Sequence, residues 1–194
     1  MTSISPERVR ALRMAALLIA PRPSSAPAPT TVDGIVTHLG AMQAQDNASG
    51  LWSLGLRLGG ATQAEVVAAL ERREALRTWP MRGTVHLVPA RDAHWMLDVI
   101  GSKSLAGAAR RRQYLGLPDG DAERAVDVIG AQLAGGQRRT RAQLLAAISD
   151  AGVPITNNLG YHLLWYASQR GVSAIAPDVD GEQTFVLLDD WVTD

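Results

Sequence analysis

Between Asp121 and Leu188 the sequence runs through three helix-length segments and then two β-rich runs, and that order leaves few folds open. The first segment, Asp121 to Ala134, is closed by Gly135-Gly136. Thr140-Arg141-Ala142-Gln143 has the capping-box pattern, in which a Thr hydroxyl and a Gln side chain satisfy each other's backbone N–H groups, and it opens a helix to about Ala151. The third helix spans about Asn157 to Arg170 and stops at Gly171. Val172–Ala176 and Thr184–Leu188 then enclose turn-forming residues from Asp178 to Gly181. Three helices followed by a hairpin is the order of a winged helix.

The N-terminal part repeats this order loosely. Ser5-Pro6-Glu7 reads as an N-cap, a first-turn Pro and a first-turn acid, starting a helix that extends to about Ile19. Pro21–Thr30 is a Pro/Ser/Ala-rich loop. A second helix carries Ile35, Val36 and Leu39, while Leu51–Leu58 fits a helix or a strand equally well. Thr62–Glu65 is another capping box. Arg77–Trp79 and Thr84–Val88 flank Pro80–Gly83 and read as a β-hairpin, followed by helices over Asp92–Ile100 and Ser102–Gln113. Leu115–Gly120, rich in Gly and Pro, marks the boundary. The expectation is a mainly α, α+β chain with small β-hairpins, built as tandem winged-helix modules over residues 1–117 and 118–194.

Composition narrows the chemistry. With no cysteine there is no disulfide, thiol nucleophile or Cys-ligated zinc. The four histidines form no His-x-x-x-His pair, which points away from a metal site. No apolar run reaches the roughly 20 residues needed to span a bilayer, and no signal-peptide pattern is present, so a cytoplasmic protein with no membrane partner and no cofactor is expected. The net charge of zero conceals an asymmetry: residues 1–119 carry 14 basic and 9 acidic side chains, and residues 120–194 carry 5 and 10. The positive half suits a polyanion, although uneven charge on a solvated surface gives the same count.

Longer motifs are more specific. RTWPMRGTVHLVPA (77–90), LGAMQAQDNASGLWSLGLRL (39–58), GYHLLWY (160–166) and EQTFVLL (182–188) together resemble the AlkZ/YcaQ-like winged-helix DNA glycosylases over nearly the whole chain. The resemblance implies an enzyme that removes alkylated purines, including N7-alkylguanine adducts and interstrand crosslinks, from double-stranded DNA. It also implies a third winged helix beyond the second wing. The catalytic motif of that family is Gln-x-Gln or Gln-x-Asp, and it falls here on Gln43-Ala44-Gln45.

Residues two apart share a side of the chain only when the backbone is extended, so cooperation between Gln43 and Gln45 requires an extended segment or a helix end. Their spacing alone equally describes surface or capping amides; the resemblance assigns them to catalysis. Asp46 is a secondary carboxylate candidate. Arg82 and His86, on the hairpin, stand between lesion or DNA contact and a structural role, and Trp79 reads as core. Arg110, Arg111 and Arg112 read first as a helix surface and second as a strip along the DNA backbone. The helix containing Trp165 and Tyr166 looks like core, which disfavours base reading by it. The competing reading is a non-catalytic winged-helix DNA-binding protein.

Overall fold

The computed structural model describes residues 4–21, 27–156 and 158–192. Part of the Pro21–Thr30 loop and the Asn157 helix start therefore lie outside the described residues. Helix α1, Pro6–Ala16, begins as its sequence dictates, with the Ser5 hydroxyl accepting from Arg8 N. It ends before Ile19 because Leu18 turns to φ 59°. The first module follows in chain order: α2 (Val32–Leu39), β1 (Met42–Gln43), α3 (Asn47–Arg57), α4 (Gln63–Glu71), β2 (Ala75–Met81) and β3 (Thr84–Pro89). The ambiguous 51–58 stretch is thus helical. Asp46 caps α3, and the Thr62–Glu65 box caps α4. Ile35, Leu54, Val66 and Leu87 fill the core between these helices and the hairpin.

A connecting region replaces the two regular helices expected after the hairpin. It comprises a 3-10 turn (Ala90–Asp92), α5 (Ala93–Trp95), a π-helical turn (Met96–Ile100), α6 (Ser102–Ala106) and α7 (Ala108–Leu115). Gly107 separates α6 from α7. The second module is α8 (Asp119–Leu133), β4 (Arg139–Thr140), α9 (Arg141–Asp150), α10 (Leu159–Gln169), β5 (Ser173–Val179) and β6 (Glu182–Leu187), followed by α11 (Leu188–Trp191). Each module therefore has the winged-helix order: helix, short strand, two helices, hairpin. The α+β, tandem winged-helix expectation holds. Helix α10 is buried along nearly its whole length, Trp165 and Tyr166 included.

The two hairpins are not separate wings. They join in one six-stranded sheet, ordered β1-β3-β2-β5-β6-β4 and antiparallel throughout. This order reads the same from either edge. At its centre Arg77 pairs with Ile175, which holds the same place in the second hairpin. Both hairpins close through two residues of positive φ, Arg82-Gly83 and Asp180-Gly181. That is the geometry of a type I′ turn, whose twist matches the strands it joins. Further ties cross the centre: Arg138 forms a bidentate pair with Glu71, and Gln169 Nε2 donates to the Trp79 carbonyl.

Candidate functional site

The Gln43–Gln45 triplet is held by backbone pairing along the edge of the sheet. Gly40, at φ 75°, turns the chain out of α2. Met42 and Gln43 then pair with Leu87 and His86. Ala44 N donates to the Val85 carbonyl at 2.9 Å, and Val85 N donates in return to Gln45 Oε1 at 2.9 Å. The side chain of Gln45 thus completes the ladder where backbone pairing ends. Ala44 is buried between exposed Gln43 and exposed Gln45. Gly50 lies so close that a Cβ added to it would stand 3.1 Å from the Ala44 methyl. The strand itself covers Met42–Gln43, and the chain bends at Gln45 before α3 begins.

Gln45 lines a cavity of about 160 Å³ between the two modules. Arg77, Trp79 and Val85 join it from the first hairpin; Arg141, Tyr161 and Gln183 come from the second module. Gln43 is not part of this wall. Arg77 is buried, with 5% of its side chain exposed, and its Nη2 donates to the Ala176 carbonyl (2.8 Å) and to Asp178 Oδ1 (2.7 Å). The other oxygen of Asp178 accepts from Asn47 Nδ2 at 2.8 Å. Asp178 on β5 therefore fixes both the cavity guanidinium and the start of α3, two residues after Gln45. Trp79 Nε1 donates to Tyr161 Oη at 3.1 Å, with the rings edge to face. Arg141 takes part in none of the ion pairs among the described residues.

The remaining sequence candidates separate. Asp46 Oδ1 accepts from Ser49 N at 2.7 Å as the cap of α3, and the Ser49 hydrogen bonds hold its carboxyl below the usual range. Arg82 is exposed at the tip of the first hairpin. His86 is buried, with Nδ1–H donating to the Thr84 carbonyl at 2.9 Å. Burial lowers its pKa, the Thr84 carbonyl works against that, and nearby Arg82 lowers it further. Arg110 and Arg111 face solvent, whereas Arg112 is buried over the Tyr166 ring and pairs with Asp119 at 2.7 Å.

Arg141, Tyr161, Gln183 and Asp178 were not among the sequence candidates. Nothing local marks them, because strand pairing over a separation of about a hundred residues brings them to Gln45. Trp79 was read as core; it is buried and also walls the cavity. The cavity wall offers amides, guanidinium groups, an indole and a phenol, with no carboxylate, thiol or imidazole. Such a wall can hold a polar planar group or an anion and orient a water, but it supplies no strong general acid. Among the described residues there is no cluster of three or more metal-ligating side chains. No described helix is long and apolar enough to cross a membrane.

The sequence model of the family described as DNA glycosylase AlkZ-like matches residues 36–194. Among solved structures, Streptomyces sahachiroi DNA glycosylase AlkZ is similar with a TM-score of 0.72 at 21% identity, over 98% of this chain and 51% of its own. The present chain thus spans about half the length of that protein. No curated protein matches it.

Proposed function

The chain belongs to the AlkZ-like DNA glycosylase family, and from that premise we propose that it releases N7-alkylated purines from duplex DNA, crosslinked bases included, by attack of water at the glycosidic carbon. The observation that carries this reading is the seat of Gln45: an amide locked by Val85 N–H at the wall of a polar cavity that contains no acid. An N7-alkylguanine is already cationic. Its bond to C1′ breaks without protonation, and the electron pair left on N9 neutralises the ring. The water oxygen bonds to C1′ and its proton passes to solvent. A fixed amide is sufficient here, because its oxygen retains a lone pair to orient water and its dipole faces the positive charge developing on the sugar. Gln43 acts from the adjoining exposed strand. Arg141, free of a carboxylate partner among the described residues, suits the phosphodiester of the same nucleotide. Residues 1–117 and 118–194 serve as two modules around this shared cavity, in a cytoplasmic protein that needs no metal or cofactor.

The test is incubation with a duplex containing one 7-methylguanine, followed by measurement of free base and of alkali-labile abasic sites. Release of 7-methylguanine, and none from the undamaged duplex, is the expected result. A second reading is favoured by the position of Gln43 outside the cavity: a winged-helix protein that binds duplex DNA without chemistry. Salt-sensitive binding to the same duplex with no free base would establish it in place of the first.

A further inference from the structure

We infer that Tyr161 selects which purine the Gln45 cavity takes: its O–H donates to an acceptor at position 6 of the ring, so a 6-oxopurine is accepted and a 6-aminopurine is rejected. This rests on the reading above, in which an alkylated purine enters that cavity, and it adds a choice among purines.

The Tyr161 oxygen accepts from Trp79 Nε1–H at 3.1 Å, and both side chains line the cavity. Trp79 is buried, and the two rings meet edge to face with centroids 6.2 Å apart, so the phenol is held in place from the first hairpin. A phenolic O–H both accepts and donates. Here the accepting role is filled, and among the described residues the hydroxyl makes no other hydrogen bond. What it has left to offer is its proton. Tyr161 is 39% exposed, so solvent can take that proton until a ligand covers it.

The rest of the wall leans the same way. Arg77 and Arg141 can only donate. Beyond Tyr161, only the two glutamines among the lining side chains can accept, and Gln45 Oε1 already accepts from Val85 N–H. No carboxylate lines the cavity, so the wall has no counter-charge with which to select the cationic ring. Selection therefore falls to the polar edge of the base. Beside N7, guanine presents the O6 acceptor, whereas adenine presents the N6 amino donor. Facing Tyr161 O–H, O6 is paired. An amino group there would leave two donors opposed, each stripped of its water.

The experiment uses the whole chain and duplexes that hold one 7-methylguanine or one 7-methyl-2,6-diaminopurine. These cationic rings differ only at position 6. Each sits on a 2′-fluorinated sugar that resists cleavage, so binding is read without base release. Each affinity is divided by that for the unmethylated duplex of the same sequence. Wild type is expected to prefer 7-methylguanine by about tenfold, and Tyr161→Phe, which keeps the ring and removes only the donor, to reduce the preference to within about twofold. The control Tyr114→Phe, at an exposed tyrosine outside the cavity wall, leaves the preference unchanged. Equal affinities in wild type would overturn the inference, and so would a preference that survives Tyr161→Phe. The first of these needs no variant, so poor folding of Tyr161→Phe cannot shield it. Unfluorinated duplexes separate this inference from the proposed function. Release of both bases at equal multiples of their uncatalysed rates would keep the glycosylase and overturn the selection. A position-6 preference in binding with no release of either base would keep the selection and overturn the glycosylase.

Discussion

Replacing Asp178 with alanine leaves the Arg77 guanidinium buried without its counter-charge. Two unit charges about 4 Å apart attract by about 4 kcal/mol at an effective dielectric near 20, and removing one partner of a buried pair costs about 3–5 kcal/mol. The lower end applies here. Asp178 retains 27% side-chain exposure, so water can reach the vacated position, and the Ala176 carbonyl still accepts from Arg77. A loss of about 3 kcal/mol is therefore expected, read as a lower midpoint of guanidinium-induced unfolding at neutral pH. The same substitution frees Asn47 at the start of α3, so base release should fall further than the loss of folded protein accounts for. The paired change Arg77→Met with Asp178→Leu, which replaces both charges by apolar side chains, should recover most of the stability but not the activity. A loss below about 1 kcal/mol in Asp178→Ala, the value of an exposed pair, would show that Arg77 does not depend on Asp178 for its counter-charge. So would a double variant no more stable than the single one.

Gly55→Ala sets a methyl 2.6 Å from the Ala61 carbonyl oxygen, a backbone atom that cannot yield cheaply. It should cost about 1–3 kcal/mol, visible as a lower melting temperature. Burial first, then Arg112 and Arg111, lower the pKa of His162 from 6.5 to about 4. Between these values the unfolded chain binds the additional proton, so stability is complete above about pH 6.5 and falls toward pH 4, by on the order of 3 kcal/mol from this group. Denaturation curves at a series of pH values should show the slope, and His162→Phe should flatten it. Asp46→Asn retains the cap of α3 and should retain base release, since Asn caps as well as Asp. A collapse in rate at unchanged stability would make Asp46 the catalytic carboxylate instead.

Features whose cause is local were legible in the sequence. The hydroxyls of Ser5, Thr62 and Thr140 accept from the third residue on, as their spacing predicts. The apolar run in α10 is core because it lacks the polar side chains a base-reading face needs. What depends on distant partners was not legible. Strands β1 and β4 are two residues long and exist only because β3 and β6 stand beside them. The first turn lies at Arg82-Gly83 and not across Pro80–Gly83: β2 runs through Pro80 to Met81, which pairs with Thr84. Fusion of the hairpins through Arg77 and Ile175 has no local signal, and with it came the cavity, Asp178 and Tyr161. His86 alternates with Val85 and Leu87 as read, yet it is buried, because both faces of β3 are covered. The π-helical turn at Met96–Ile100 and the break at Gly107 have the composition of ordinary helix.

The role of Gln45 is measured by single-turnover release of 7-methylguanine from a duplex. Wild type, Gln45→Ala and the Gln43/Gln45 double alanine variant would be compared at matched folded concentration. Wild type should release the base measurably, and Gln45→Ala should do so at a rate at least about 10²-fold lower, the loss typical of removing one group that stabilises developing charge. The double variant should show no recovery. Release by the double variant at the wild-type rate would exclude a catalytic role for both glutamines.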